Sequence, residues 1–226
     1  MNGDTFQAAR DQMVERQLQS PGRDIRDTKV LEAMRRTPRH RFVPESQRDL
    51  AYTDSPLPIG YGQTISQPYI VALMTEQLRP EPGDKILEIG TGSGYQAAVL
   101  ASLVREVYSV EIVPELAEQA KTVLEELGYE NVRVRSGDGY LGWEEAAPFD
   151  AIVVTCAPDH VPPALIAQLA EGGRMMIPVG PDGGVQELYL LTKNAGQLNR
   201  RAVLPVRFVP MTGTPDTAPQ GRENRR

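Results

Sequence analysis

The chain has 226 residues, a formal net charge of −6, 40% hydrophobic and 24% charged residues, and a single cysteine. That length suits one large α/β domain whose core needs no covalent staples. The balance excludes a disulfide framework, a basic nucleic-acid track and a membrane span, since Cys156 is alone, no Lys/Arg run is long and no stretch approaches roughly 18 apolar residues. His40 and His160 lie far apart, which argues against a metal site. No apolar leader is visible at the N-terminus, so a cytoplasmic protein is expected.

Residues 8–18 read as a helix with Met13, Val14 and Leu18 on one face, stopped by Ser20, Pro21 and Gly22. Asp27 caps a second helix over 28–36, with Val30, Leu31 and Met34 on its apolar side. A long irregular run follows over 39–67, punctuated by Pro44, Pro56, Pro58, Gly60 and Gly62. Such runs inside compact domains are usually functional or disordered. Phe42, Leu50, Tyr52, Leu57, Ile59, Tyr61 and Ile65 make this one too apolar for a disordered linker, so it is expected to fold against the domain near the ligand. A helix over 68–78 begins with Pro68 in its first turn and Ser66 or Gln67 as cap, burying Ile70, Val71, Met74 and Leu78.

Residues 85–102 are the organising stretch: a buried strand (85–89), a glycine turn and an alanine-rich helix (95–102). A helix starting there points free N–H groups at whatever sits over the glycines. Gly90, Gly92 and Gly94 do not follow the dinucleotide spacing G-x-G-x-x-G; the pattern is E-x-G-x-G-x-G from Glu88. An acid there repels a pyrophosphate and suits a ligand with a cationic end. The next strand ends on a second acid, Glu111, which can take both ribose hydroxyls. This pairing resembles class I S-adenosylmethionine-dependent methyltransferases, implying a doubly wound, Rossmann-like α/β fold that binds S-adenosyl-L-methionine through Glu88, Gly90, Thr91, Gly92, Gly94 and Glu111.

The remainder alternates strand and helix, as a parallel sheet requires: strands over 104–111, 132–136, 149–155 and 174–179, helices over 114–127 and 162–169. Strands over 186–192 and 202–209 follow, and the polar, proline-rich residues 212–226 are expected to be a flexible tail. Asp138, between Gly137 and Gly139, has two readings: an acceptor for the adenine amine, as the methyltransferase resemblance implies, or an ordinary Asx-turn residue. Thr155, at the end of a central strand, should border the methyl-transfer position. Cys156 reads as a small buried hydrophobe rather than a nucleophile.

Methyl transfer from a sulfonium requires alignment of nucleophile and methyl with water excluded. An amine or alcohol acceptor needs a base, whereas a carboxylate, with a pKa of about 4, is already ionised at neutral pH and needs only orienting donors. Ser66 is such a donor, or else a plain helix N-cap. The runs at 13–18, 39–44, 51–68, 87–98 and 207–210 resemble protein-L-isoaspartate O-methyltransferases over about residues 8–211. The resemblance implies methylation of the free carboxylate of L-isoaspartyl residues in damaged proteins and peptides, with Ser66 as active-site serine. It also implies Gly139 at the cofactor, and Thr64, Ile65, Thr155, Val209 and Pro210 at the substrate. The implied organisation is one domain over 1–211, with helices and substrate loop in 1–82 and the cofactor sheet in 83–211. A monomer is expected, with neither nucleic acid nor membrane as partner. The connection over 20–25 departs from the family pattern and reads as peripheral; Cys156 and Met211 also depart. The alternatives are a small-molecule O- or N-methyltransferase and a cofactor-binding scaffold without catalysis.

Overall fold

The computed structural model describes residues 6–214. Nearly all of the tail expected to be flexible, 215–226, lies outside the described residues, as do residues 1–5.

Seven strands form one sheet: β3 (Lys85–Ile89), β4 (Glu106–Glu111), β5 (Val132–Ser136), β6 (Phe149–Val154), β7 (Leu169–Val179), β8 (Gln186–Asn194) and β9 (Gln197–Val206). Their order is β5-β4-β3-β6-β7-β8-β9, parallel from β5 through β7 and antiparallel for the last two strands. The chain leaves β3 toward β4 and later returns to pair β6 with the other edge of β3. The switch point therefore falls between the carboxyl ends of β3 and β6, where open α/β sheets bind ligands.

Alternation along the strands builds two cores. Ile86, Val107, Ala151 and Val153 face one, while Leu87, Ile89, Ile152 and Val154 face the other. Each fully buried aliphatic side chain contributes about 1.5–3 kcal/mol. The helices α2 (Thr28–Arg36), α3 (Pro68–Leu78), α4 (Tyr95–Ala101) and α5 (Pro114–Glu126) pack on the first core, and α6 (Pro163–Gln168) on the second. Asp27 caps α2 as its sequence demands, accepting from Lys29 N at 2.8 Å and Val30 N at 3.2 Å.

The structure departs from the sequence expectations in four places. The first helix is α-helical only over α1 (Gln7–Met13) and widens to a π-turn over Val14–Leu18, where Gln19 N bonds Val14 O at 3.2 Å. The run expected to be irregular holds a hairpin, β1 (Leu57–Gly60) with β2 (Gln63–Ile65). Tyr61 and Gly62 turn it with φ of +52° and +71°, the left-handed pair that a two-residue hairpin needs. β7 begins at Leu169, directly after α6, because Ala170 to Gly173 bulge out between the Phe149–Leu169 and Ala151–Arg174 pairs. β9 occupies 197–206 rather than 202–209: the tight turn at Ala195 and Gly196 forces pairing from Asn194–Gln197 onward. Val209 and Pro210 are thereby released from the sheet.

Candidate active site

Two short segments converge on the switch point. Behind Ile89, Gly90 turns with φ +92°, and its N–H donates to Val110 O at 2.9 Å. Beyond Val154, Thr155 N bonds Ile89 O at 2.9 Å, and Thr155 Oγ1 donates to Gly90 O at 2.5 Å. A Cβ on Gly90 would lie 2.5 Å from Thr155 Oγ1, so this crossing admits only glycine. The segment released from β9 closes the same place: Ala157 N bonds Val209 O at 2.8 Å and Met211 N bonds Ala157 O at 2.9 Å.

Three clefts open here and share Thr64 and Thr155 as walls. The first lies over the ends of β3 and β4, lined among others by Gly90, Gly92, Glu111, Ile112, Gly139, Cys156, Val209, Pro210 and Met211. The second, smaller, reaches inward past Ile65, Ser66, Gly90, Thr91 and Gly92 to Glu88. The third is a groove of about 620 Å3 between the start of α3 and residues 204–209.

Glu88 is fully buried, and its Oε1 has no hydrogen-bond partner among the described residues. Its other oxygen takes the Ser109 hydroxyl, which also bonds Thr91 Oγ1 at 2.6 Å. Burial pushes the Glu88 carboxyl up to about 8; the Ser109 bond and, more weakly, the Ala97 backbone N–H oppose the rise, and the Glu111 charge adds to it. A buried carboxyl oxygen with no close hydrogen bond among the described residues, at the end of a cleft, is a place that suits a cationic donor. The S-adenosyl-L-methionine ammonium fits that demand, and the glycine crossing leaves room for a ligand backbone.

Glu111 is held open to the first cleft. Gly92 N donates to its Oε2 at 2.8 Å and Val113 N to its Oε1 at 3.0 Å. A carboxylate offers about four acceptor sites, so about two stay available for a ribose diol. Burial, with the Glu111 charge adding to it, pushes the Cys156 thiol up to about 12. The thiol is therefore neutral, and Cys156 lines the first cleft half-buried rather than fully buried as its reading as a small buried hydrophobe expected.

The groove has a different chemistry. Its polar wall is Arg23, Thr64, Ser66, Gln67, Tyr69, Thr155 and Arg207, with no carboxylate, histidine or lysine among the described lining residues. It offers hydrogen-bond donors and no general base. Ser66 is not the cap of α3: Gln67 holds the N-cap position, and no side chain of its own caps the helix. Ser66 lines both the groove and the inner cleft, at their junction.

The sequence pattern of the protein-L-isoaspartate(D-aspartate) O-methyltransferases matches residues 9–216. The chain belongs to this family. It is similar to the protein-L-isoaspartate O-methyltransferase of Opitutus terrae, with 61% identity over 203 residues, covering 90% of this chain and 86% of the relative. A solved protein-L-isoaspartate O-methyltransferase superposes with a TM-score of 0.78 at 35% identity, covering 84% of this chain; this chain spans 62% of that longer one, under two thirds. A Plasmodium falciparum protein described as a protein-L-isoaspartate O-methyltransferase, in complex with S-adenosyl-L-homocysteine, superposes with a TM-score of 0.78 at 27% identity, covering 90% of this chain and 98% of that one. The fold is that of the Rossmann-like methyltransferases, and the family uses S-adenosyl-L-methionine.

The residues singled out in the sequence fall into distinct places. Glu88, Gly90, Thr91, Gly92, Glu111 and Gly139 line the first two clefts. Gly139 is tightly set, for a Cβ there would lie 2.5 Å from Ile89 Cγ2. Gly94 lies outside these clefts: a Cβ on it would sit 3.2–3.4 Å from Leu124 and Ala120 of α5, so its small size serves helix packing. Asp138 lines none of the three clefts and accepts from Tyr140 N at 2.9 Å and Thr214 N at 2.7 Å. The bond to Tyr140 is the Asx-turn geometry. Thr64, Ser66, Thr155 and Val209 line the groove; Ile65 lies on the inner cleft and Pro210 on the first.

Sequence reasoning missed Arg23, Tyr69, Arg207 and Phe208 as groove residues. Arg207 and Phe208 carried a signal, since they adjoin Val209 in one motif. Arg23 carried none. The connection over 20–25 is not peripheral, because it delivers Arg23 into the groove wall.

Among the described residues, no helix is long and apolar enough to cross a membrane, and no group of three His, Cys, Asp or Glu is placed to hold a metal.

Proposed function

We infer that this protein is a repair methyltransferase that moves a methyl group from S-adenosyl-L-methionine to the free carboxylate of L-isoaspartyl residues in damaged proteins and peptides. The observation that carries this is a groove rich in hydrogen-bond donors, and without a base among its described lining residues, meeting the methyl-donor clefts at Thr64 and Thr155. An amine or alcohol acceptor would need a base at that junction. A carboxylate needs none and is oriented by neutral donors.

The bound cofactor supplies an electrophilic methyl on its sulfonium. Glu88 would hold its ammonium end and Glu111 its ribose hydroxyls, and Asp138 would accept the adenine amine with its remaining lone pairs. Ser66 donates to one oxygen of the acceptor carboxylate and leaves the other free to attack. Thr64, Thr155 and Val209, which wall both the first cleft and the groove, would flank the place where the carboxylate meets the methyl group. The extended residues 204–209 run along the groove, so main-chain contacts bind peptides of varied sequence. The product ester then closes spontaneously to a succinimide, which reopens in part to aspartate.

The test is methyl transfer from labelled cofactor to matched peptides that contain isoaspartate or aspartate at one position. Label should enter the isoaspartyl peptide alone. Equal labelling of both, or of neither, overturns the reading.

A further inference from the structure

The Ser66 loop has to be held still by something, and Ser66 has no hydrogen-bond partner of its own among the described residues. One carboxylate outside the groove does the holding. Asp54, whose side chain is 16% exposed, takes three donors from the groove wall. Arg23 donates to its Oδ2, Gln67 Nε2 donates to the same oxygen at 2.8 Å, and Tyr69 N donates to Oδ1 at 3.3 Å. The Arg23 guanidinium also lies over the Tyr69 ring, 4.5 Å from its centroid.

This arrangement substitutes for a local cap. Pro68, at the first position of α3, has no N–H, and Gln67 does not cap the helix. The first available N–H of α3, that of Tyr69, is satisfied by a side chain 15 residues upstream. Ser66 therefore sits between Ile65, buried at the end of β2, and Gln67, tethered through its amide. Arg23, Gln67 and Tyr69 line the groove, and Asp54 does not.

We propose that Asp54 is a positioning residue for methyl transfer: with Arg23 it clamps Gln67 and Tyr69, and so fixes the Ser66 hydroxyl on the acceptor carboxylate. The inference rests on Ser66 being the orienting donor. Asp54 itself touches neither substrate nor cofactor. Its effect belongs in kcat for the peptide rather than in cofactor affinity, because the residues Asp54 clamps, Arg23, Gln67 and Tyr69, line the groove and neither of the other two clefts.

The test compares Asp54→Asn, Ser66→Ala and the double variant in the full chain, by kcat on an isoaspartyl peptide and by S-adenosyl-L-homocysteine affinity. Asp54→Asn should lower kcat about tenfold, in the range that misplacement of a reacting group produces, with cofactor affinity within about twofold of wild type. In the Ser66→Ala background it should cost almost nothing further, since the residue it positions is gone. Multiplicative losses in the double variant, or parallel losses of kcat and cofactor affinity, overturn the proposal. Should Asp54→Asn fail to fold, Gln67→Leu removes one tether and keeps the Tyr69 bond. It must show the same non-additivity with Ser66→Ala, and additivity there also refutes the clamp. Undiminished turnover in Ser66→Ala would instead strike the reading of Ser66 itself, and the clamp with it; the isoaspartate-against-aspartate comparison would still stand.

Discussion

Replacing Gly90 with alanine separates two costs that the crossing of β3 and β6 imposes. The first is conformational: φ is +92°, and placing an L-residue in that region costs about 1–2 kcal/mol. The second is steric: the new Cβ would stand 2.5 Å from Thr155 Oγ1. That oxygen cannot swing aside freely, because it bonds Gly90 O at 2.5 Å and Ile89 O at 3.1 Å. Overpacking of this kind costs about 1–3 kcal/mol. Gly90→Ala should therefore lose about 2–5 kcal/mol in urea unfolding, within the roughly 5–15 kcal/mol stability of a domain. Thr155→Ala alone should lose about 0.5–1.5 kcal/mol, the net worth of its hydroxyl bonds. The double variant removes the colliding atom and keeps the φ strain. It should be more stable than the sum of the single losses predicts, by about 1–3 kcal/mol. Additivity within about 0.5 kcal/mol would show that Thr155 does not press on Gly90, and would refute the account of why glycine stands there.

Ser66→Ala should reduce kcat on an isoaspartyl peptide by about 10- to 100-fold, the loss of one hydrogen bond to a charged group, while S-adenosyl-L-homocysteine affinity holds in calorimetry. Glu88 makes stability depend on pH in a defined direction. Its carboxyl is raised from 4.5 to about 8, so the folded chain keeps a proton that the unfolded chain has lost. Its contribution to stability therefore declines as pH rises from about 4.5 to about 8. Urea titrations should show Glu88→Gln gaining on wild type across that window, and a constant difference would contradict the assignment. Binding of a ligand with an ammonium group should release part of a proton near pH 7, read from calorimetry in buffers of different ionisation enthalpy; no buffer dependence would mean that the ammonium does not meet Glu88. Cys156, its thiol pushed up to about 12, should resist iodoacetamide at pH 8 in the folded protein and react after denaturation. Mass spectrometry of the two samples decides this.

The donor half of the site was legible in the sequence because its demands are local. A strand, a turn that only glycine can make and two acids one strand apart are all encoded within residues 85–111. Asp27 and Pro68 likewise marked helix starts by chemistry that acts within a turn. The acceptor half was less legible, because it is assembled from segments far apart in the chain. Gln197, Asn199, Arg200 and Arg201 show no alternation, since β9 is an edge strand with little to bury, and so the strand's true start went unseen. The hairpin at 57–65 did have a signal, Gly60-Tyr61-Gly62 between apolar residues, but the surrounding prolines hid it. Arg23 could not be foreseen: its place depends on meeting Asp54, 31 residues away.

The small hairpin β1–β2 is not hydrogen-bonded into the seven-stranded sheet, and residues 207–210 have already left it. The acceptor groove is thus built largely on attachments, while the donor clefts join the sheet's own strand ends to the same attachments at Thr64 and at residues 209–211. The two halves can be altered on separate schedules. Loop exchange over 54–67 and 207–210, with Thr64 and Val209 kept, is the natural route to a methyltransferase with a new acceptor, because it leaves the sheet and its glycine crossing as inherited. The same arrangement limits what such redesign can reach: Thr64, Thr155 and Val209 belong to both halves, and they are the points where a new acceptor must still accept the old geometry.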